Sequence, residues 1–294
     1  MNFFGILSSL IYGITYGLIL SLMAAGLSLI YGVMKNVNTS HGAFYMLGGF
    51  FAYLGYVFFK SFLWSLIFAV LGTFFVGMGV LPLVIPKRYW TTLNADEQNT
   101  VMIIFLALAT FFEYLVLILF GGGSVQIPSL FYGNINIFSV YLTKQILFAS
   151  LVSIGIYILL YIFLKYTSTG IMLRAFSQNK ELSEACGING ERIALLAFGL
   201  GVALAGLTGA FFGSIFSINS ASGWEELVES FVIVTFGGIG SIFGSLVGGL
   251  IFGTVYSFLL LYYPQYAFEG VLLVIFIILL LKPTGLLGGQ VERV

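Results

Sequence analysis

Charged residues are scarce in this chain. Of its 294 residues, 7% are charged and 60% are hydrophobic, and the formal net charge is zero. Soluble domains carry roughly 25% charged residues, so this composition excludes an ordinary soluble fold. The chain also lacks the excess of positive charge that marks a nucleic-acid-binding protein, and we expect no nucleic-acid partner.

Cysteine and histidine each occur only once, as Cys186 and His41. A single cysteine excludes an internal disulfide, and a single histidine without neighbouring ligands cannot make a metal site. A membrane-embedded enzyme would need clustered histidine, aspartate or cysteine side chains near the membrane surface. We therefore expect no catalytic residue, no metal ligand and no cofactor bound by this chain.

Long apolar runs fill most of the sequence. Six or more of them exceed about 18 residues, the length that spans about 30 Å of hydrocarbon. They predict an all-α polytopic membrane protein with about 8–10 transmembrane helices, forming one transmembrane domain over residues 1–294. The first run lacks a basic leader, which indicates a membrane helix rather than a cleaved signal peptide. The spans are expected near 5–33, 42–59, 62–86, 100–120, 140–164, 193–215, 228–243, 245–262 and 267–282.

The segment 228–262 is rich in glycine, and its two apolar runs are short. It predicts either two crossings or a re-entrant hairpin, and both leave the orientation of the other spans unchanged. The phrase GGIGSIFG over 237–244 is not a nucleotide-binding fingerprint, because no strand precedes it. No Walker A sequence occurs, so the chain should not hydrolyse ATP itself. Small residues recur at every fourth position here, as they do along 201–213, and predict closely packed helices.

Basic residues predict the orientation of the spans, because cytoplasmic loops carry an excess of lysine and arginine. With the N-terminus outside and the C-terminus in the cytoplasm, nine basic residues fall inside and only Lys60 and Lys144 fall outside. Glu225, Glu226 and Glu229 then lie at the outer face of a multi-pass protein of the cell (inner or plasma) membrane. The nine are Lys35, Lys87, Arg88, Lys165, Arg174, Lys180, Arg192, Lys282 and Arg293.

The most informative polar stretch is the loop 165–192, between the fifth and sixth expected spans. Its charges and irregular backbone cannot sit in lipid, so we expect it in the cytoplasm. Local signals predict a short amphipathic helix over 178–190, with Asn179 or Ser177 capping its start and Gly187 ending it.

So short a helix is marginal alone and needs a groove to pack in. That groove belongs either to a partner or to the inner surface of its own protein. The residues expected to contact a partner are Glu181, Leu182, Glu184, Ala185 and Gly187.

Glu113 is the one acidic residue deep inside an expected span. Burying an unpaired carboxylate costs at least about 2.5 kcal/mol, so Glu113 must pair, be protonated or face the bundle interior. It is a candidate contact for the ammonium group of a solute, or else a hydrogen-bond partner of its neighbours Thr110 and Tyr114. The residues expected along a translocation path are Glu113, His41, Asn38, Gly240 and Ser241.

Three stretches of the chain carry a family resemblance. They are GLSLIYGVMKNVNTSHGAFYMLGGFFAY over 26–53, TGIMLRAFSQNKELSEACGINGERI in the polar loop, and FGGIGSIFGSLVGGLIFG over 236–253, followed by KPTGLLG. In this order they resemble the branched-chain amino-acid permeases of the Liv type, and 26–53 resembles the LivH-like rather than the LivM-like subunit. The step from Glu181 to Gly187 is similar to the E-A-A-x-x-x-G coupling motif of ABC importers, with the alanines replaced.

The resemblance implies the permease subunit of an ABC importer for branched-chain or other hydrophobic amino acids. Its partners would be separate ABC ATPase subunits that use ATP, a second, LivM-like permease, an extracytoplasmic solute-binding protein and the lipid bilayer. ATP-driven closure of the ATPases would push on the helix 178–190. The chain departs from many relatives at Glu229, where they carry a lysine, and this reversed charge bears on which solute or binding protein is accepted.

Other functions fit the same sequence less well. Within the family, the solute could instead be urea, a short amide or another small molecule. An ATP-independent channel or secondary transporter would favour several intramembrane charges, and only Glu113 is available.

Overall fold

The computed structural model describes residues 3–90, 95–137 and 139–287, so Arg293, the last of the basic residues used for orientation, lies outside them. Helices make up most of the described residues, which also include one small pair of strands. Two short 3₁₀ turns, Lys87–Tyr89 and Pro264–Tyr266, join longer helices. The elements are α1 Phe3–Met34, α2 His41–Phe59, α3 Phe62–Val84, α4 Ala95–Phe120, β1 Asn134–Ile137, β2 Val140–Thr143, α5 Lys144–Tyr166, α6 Ser168–Gln178, α7 Lys180–Ala185, α8 Gly190–Ile215, α9 Trp224–Gly237, α10 Ile242–Tyr262 and α11 Ala267–Leu281.

Eight helices in the described part of the chain are long and apolar enough to cross a membrane: α1 to α5, α8, α10 and α11. The predicted all-α polytopic membrane architecture is therefore confirmed. The core of the bundle is formed by α1 and α8, whose most apolar stretches are 94% and 83% buried, against 17–56% for the other six. The outer helices expose large apolar side chains, as helices facing lipid do.

Helices α1 and α10 pack against each other in opposite directions. Gly13, near the start of α1, lies against Gly253 in the second half of α10, and Gly32, near the end of α1, lies against Gly240, just before α10. Glycine at these points lets the two backbones approach closely, as the recurring small residues predicted.

Helices α8 and α3 form a second antiparallel pair of the same kind. Gly206 of α8 lies against Thr73 of α3, and Gly199 lies against Met78. In the groups α1–α3 and α8–α10, the first helix of each group therefore packs on the third helix of the other. These pairs are α1 with α10 and α8 with α3. This reciprocal packing relates the two three-helix groups to each other, as internal repeats do in many transporters.

Helices α2 and α9 both begin inside the bundle. Nε2 of His41, the first residue of α2, lies 3.0 Å from the carbonyl oxygen of Met23, well before the end of α1. Gly42 touches Gly223, the residue before α9, and a Cβ at Gly42 would lie 2.9 Å from the Gly223 carbonyl carbon. Gly223 also has φ +128, which disfavours a side chain. Two glycines therefore let two helix starts meet in the interior.

Three elements differ from the sequence-based expectation. The expected span 228–243 is instead the 14-residue α9, which begins earlier and is not among the eight long apolar helices. Its partner α10 has 21 residues, so this region is a hairpin of one short and one full-length helix joined by a glycine-rich turn. The loop 165–192 contains an additional 11-residue helix, α6, before the short helix. Strands β1 and β2 pair antiparallel, with Ile137 opposite Val140.

Candidate functional site

The loop between α5 and α8 carries the first candidate site, helix α7. The side chain of Asn179 accepts a hydrogen bond from the backbone N–H of Leu182 at 2.9 Å, which satisfies one free donor of the first turn. Gly187 follows the helix with φ +87, a conformation that favours glycine. The predicted cap and the predicted stop are both where the sequence placed them, although the helix itself is only six residues long.

Most of α7 is exposed, including its apolar side chains. Leu182 is 63% exposed, and within the helix only Ser183 is buried. Leu182 and Ala185 therefore leave apolar surface of α7 uncovered. The residues predicted to meet a partner, Glu181, Leu182, Glu184, Ala185 and Gly187, all lie in this exposed segment.

The surroundings of α7 carry charges of both signs. Lys87, after α3, forms a salt bridge of 2.8 Å with Glu191 in the first turn of α8. Lys180 and Glu184 lie 3.9 Å apart within α7. These residues and Arg88 line an open cleft beside the helix. This end of the bundle is therefore polar and water-facing.

A large cavity forms the second candidate site, toward the other end of α8. It has a volume of about 610 Å³ and lies between α1, α8, α9 and α10, with Ile146 of α5 at its edge. This volume is within the range of about 300–1,000 Å³ typical of small-molecule sites. Its polar lining comes from hydroxyl and carboxyl groups: Ser8, Ser9, Tyr12, Thr15, Tyr16, Glu225, Glu226, Glu229, Tyr256 and Ser257.

Two glutamates of α9 are held at this cavity by tyrosines from other helices. The hydroxyl of Tyr16 in α1 donates to Oε2 of Glu229 at 2.7 Å, and Glu229 is only 2% exposed. The hydroxyl of Tyr45 in α2 donates to Oε1 of Glu226 at 3.1 Å. Oε2 of Glu226 accepts from the backbone N–H of Gly223, also at 3.1 Å. The start of α9 is thus fixed to two neighbouring helices through its carboxylates.

The remaining wall of the cavity is apolar and aromatic. Tyr16 stacks on Phe212 of α8 at 5.3 Å between ring centroids, and on Tyr256 of α10 at 5.9 Å. Ile215 and Leu260 extend this wall. A solute with a hydrocarbon side chain and a polar head would find a matching surface for each part.

Glu113 lies away from this cavity. Its Oε2 accepts a hydrogen bond from the indole N–H of Trp224 at 3.0 Å, which ties α4 to the start of α9. It lines a separate cleft of about 10 Å³, and such a space holds about one water molecule. Glu113 therefore makes an interhelical hydrogen bond, but its partner is Trp224 rather than Thr110 or Tyr114.

His41 and Asn38 are fully buried at the start of α2. Oδ1 of Asn38 accepts from the backbone N–H and the hydroxyl of Ser40 at 3.0 and 2.6 Å. Within the described chain, Nδ1 of His41 and Nδ2 of Asn38 have no hydrogen-bond partner. Neither residue lines the large cavity, and their assignment to a translocation path stays a prediction.

Gly240 and Ser241 lie at the turn between α9 and α10. Gly240 has φ +83, and the hydroxyl of Ser241 accepts from the backbone N–H of Gly244 at 2.9 Å, as a helix cap does. Both are remote from the cavity lining, so the structure does not bring the five predicted path residues together.

The cavity residues were only partly accessible from the sequence. The orientation rule placed Glu225, Glu226 and Glu229 at one membrane face, and all three do line the cavity. Tyr16 and Tyr256 could not be recognised as cavity residues from the sequence, because a tyrosine within an apolar helix is usually an interfacial or packing residue. Their role depends on α1 and α10 being neighbours, which the sequence does not state.

A bundle of membrane-spanning helices with a solute-sized cavity toward one end and an exposed helix toward the other suits a membrane transport protein. Residues 9–281 match the family described as "Branched-chain amino acid transport system / permease component". The chain belongs to this family. It is therefore a multi-pass protein of the inner membrane and a permease component that works within a larger transport system, rather than an enzyme.

Individual relatives agree with this assignment. The chain is 27% identical to the high-affinity branched-chain amino acid transport system permease protein LivH of Escherichia coli, over 100% of this chain and 99% of the relative. It is 26% identical to the corresponding permease protein BraD of Pseudomonas aeruginosa, over 98% of both chains. A probable LivH of Methanocaldococcus jannaschii is 37% identical over half of this chain and 46% of its own length.

Proposed function

We propose that this chain is the permease subunit of an ABC importer for branched-chain or other hydrophobic amino acids. An extracytoplasmic binding protein delivers the solute to the cavity, and separate ATPase subunits drive transport by pushing on α7. The chain itself binds no ATP and no cofactor. Transport requires only that the chain adopt two packing arrangements of similar energy, each favoured by different partners. A second, LivM-like permease completes the path of the solute.

This proposal rests on the short length and the exposure of α7. A capped six-residue helix with its leucine 63% exposed is too short to be stable by itself in water. Its position between two membrane helices suits a surface that receives a partner. The predicted orientation puts α7 in the cytoplasm, where ATP is available, and the cavity at the outer face, where a binding protein arrives.

The family and the cavity favour an amino acid as the solute. The relatives are named as branched-chain amino-acid permeases. The cavity offers carboxylates for an ammonium group and an apolar wall for an aliphatic side chain. Urea or a short amide would use the polar groups but leave the apolar wall unfilled, which makes it the second candidate.

Purification of the chain with its ATPases tests the docking surface. Leu182→Asp and Glu181→Lys should each weaken the complex by at least about tenfold, since central contact residues each contribute roughly 2 kcal/mol or more. The measurement is the amount of ATPase that stays bound at a series of dilutions. The melting temperature of the permease alone should not change, because both side chains are exposed.

Glu269→Lys is the matched control. Glu269 is an exposed carboxylate in the first turn of α11, outside the α5–α8 loop, and the same charge reversal there should leave the ATPases bound. Unchanged ATPase binding in both α7 variants would remove α7 as the docking surface.

A further inference from the structure

Glu229 is a buried carboxylate that is only half satisfied. It is 2% exposed, and Tyr16 donates to its Oε2 at 2.7 Å. Its other oxygen, Oε1, receives no hydrogen bond within the described chain, and the residue lines the 610 Å³ cavity. Oε1 is not among the fully buried unpartnered atoms of the described chain, so it is open to the cavity, where a donor or a positive charge on a solute can reach it.

The described lining of the cavity supplies no positive charge. Glu225 and Glu226 also line the cavity, and no lysine, arginine or histidine is among the described lining residues. Three carboxyl groups around one space attract cations and repel anions. A tie between α9 and α1 explains the oxygen bonded to Tyr16, and Tyr45 and the backbone of Gly223 hold Glu226. These contacts explain neither the second oxygen of Glu229 nor the carboxylate of Glu225.

The shape of the lining adds a second requirement. Phe212, Ile215 and Leu260 form an apolar wall in the same cavity as Glu229. An inorganic cation would gain nothing from this wall, whereas a primary amine with a branched hydrocarbon chain would bury that chain against it.

We propose that Glu229 binds the primary ammonium group of the solute during its passage, with the hydrocarbon chain against Phe212 and Leu260. Tyr16 is a positioning residue that holds one carboxylate oxygen and leaves the other for the ammonium group. This inference rests on the proposed function, since the transported solute is the molecule that fills the cavity. It makes the amino group, rather than the carboxylate, the part of an amino acid that this subunit recognises.

Two halves of leucine serve as probes. 3-Methylbutylammonium keeps the hydrocarbon chain and the ammonium group, and 4-methylpentanoate keeps the chain and the carboxylate. Binding of each to the purified permease–ATPase complex in nanodiscs, without the delivery protein, is followed by saturation-transfer NMR. The amine should bind and the acid should not. Glu229→Gln should weaken amine binding by at least about tenfold, the usual effect of losing a charged hydrogen bond.

Three variants complete the design. Glu269→Gln, on an exposed carboxylate outside the cavity, should bind the amine as the wild type does. Tyr16→Phe keeps the ring but frees Oε2, and should weaken amine binding without admitting the acid. If Glu229→Gln does not fold, Glu229→Asp keeps the charge and should retain the preference for the amine with lower affinity.

Equal binding of amine and acid by the wild type would overturn the inference. So would unchanged amine binding in folded Glu229→Gln, or displacement of the amine by sodium ions alone, which would indicate an inorganic cation site. None of these results affects ATPase docking at α7. Failure of this inference is therefore distinguishable from failure of the proposed function.

Discussion

The two ends of helix α8 present opposite kinds of surface. At its start, α7 and the residues around Glu191 are exposed, charged and held by few contacts. At its end, Phe212 and Ile215 face a cavity that holds the buried Glu229. Gly190 and Phe212 are 22 residues apart in one helix, a distance of about 33 Å at 1.5 Å per residue. One end suits a protein partner and the other a small solute.

The middle of α8 shows how the two ends are connected. Between them the helix is almost entirely buried and packed through glycines against α1, α2 and α3. A closely packed helix transmits displacement because its neighbours leave no free space for it to deform into. The parts of α8 therefore have different roles: its start lies at a loosely held contact surface, its middle is a rigid connection, and its end lies at a solute cavity.

The largest expected effect comes from breaking the connection. A Cβ at Gly209 of α8 would overlap the carbonyl oxygen of Tyr45 and lie 2.9 Å from its carbonyl carbon. Gly209→Ala should lower the free energy of unfolding by about 3 kcal/mol, the upper end of the usual cost of overpacking. Thermal melting of the purified protein measures this loss.

Gly79→Ala in α3 is the control for that variant. A Cβ at Gly79 has no atom within 4 Å, so alanine there should stabilise the helix slightly. Equal melting temperatures for the two alanine variants would show that the packing of α8 is looser than the glycine contacts indicate.

A smaller effect is expected from removing the hydrogen bond between Glu113 and Trp224, which lies in a cleft separate from the large cavity. If Glu113 serves mainly to hold Trp224, then Glu113→Leu and Trp224→Phe should each destabilise the protein by about 1 kcal/mol. The double variant should lose little more than either single one, because both remove the same hydrogen bond. Solute uptake should stay within about twofold of wild type, a difference of about 0.4 kcal/mol. A loss of uptake in Glu113→Gln, which keeps an acceptor for Trp224 but removes the charge, would restore the predicted contact with the solute.

The smallest effect is expected at the exposed end. The salt bridge between Lys87 and Glu191 joins two side chains that are 63% and 51% exposed. Lys87→Ala should change the free energy of unfolding by less than about 1 kcal/mol, since water and salt screen such pairs. A denaturation curve of the variant in 0.15 M salt measures it, and a larger loss would mean that this end is more firmly fixed than its exposure indicates.

The sequence predicted local features well and the assembly poorly. The membrane helices follow from apolar runs, and the cap at Asn179 and the stop at Gly187 follow from rules that act over three or four residues. The sequence did not predict that α2 begins inside the bundle, because this position depends on a long-range contact between His41 and Met23. The same reason explains why the seventh span begins earlier than expected, since α9 starts where Gly223 meets Gly42.

The candidate site shows the same limit. Glu113 attracted attention because a lone carboxylate in an apolar run is visible in the sequence. Glu229 lay at a predicted span boundary, where a carboxylate is unremarkable, and its burial is created by α1 and α10. Side chains that only the folded bundle brings together, such as Tyr16 with Glu229, leave no pattern along the chain.

Reconstitution in vesicles tests most directly whether this chain is a permease worked by separate ATPases. The vesicles contain this chain alone, or together with its partner permease, ATPases and binding protein, and accumulation of labelled leucine is measured with and without ATP. We predict accumulation against a gradient only for the complete assembly with ATP. Accumulation by this chain alone would contradict the account.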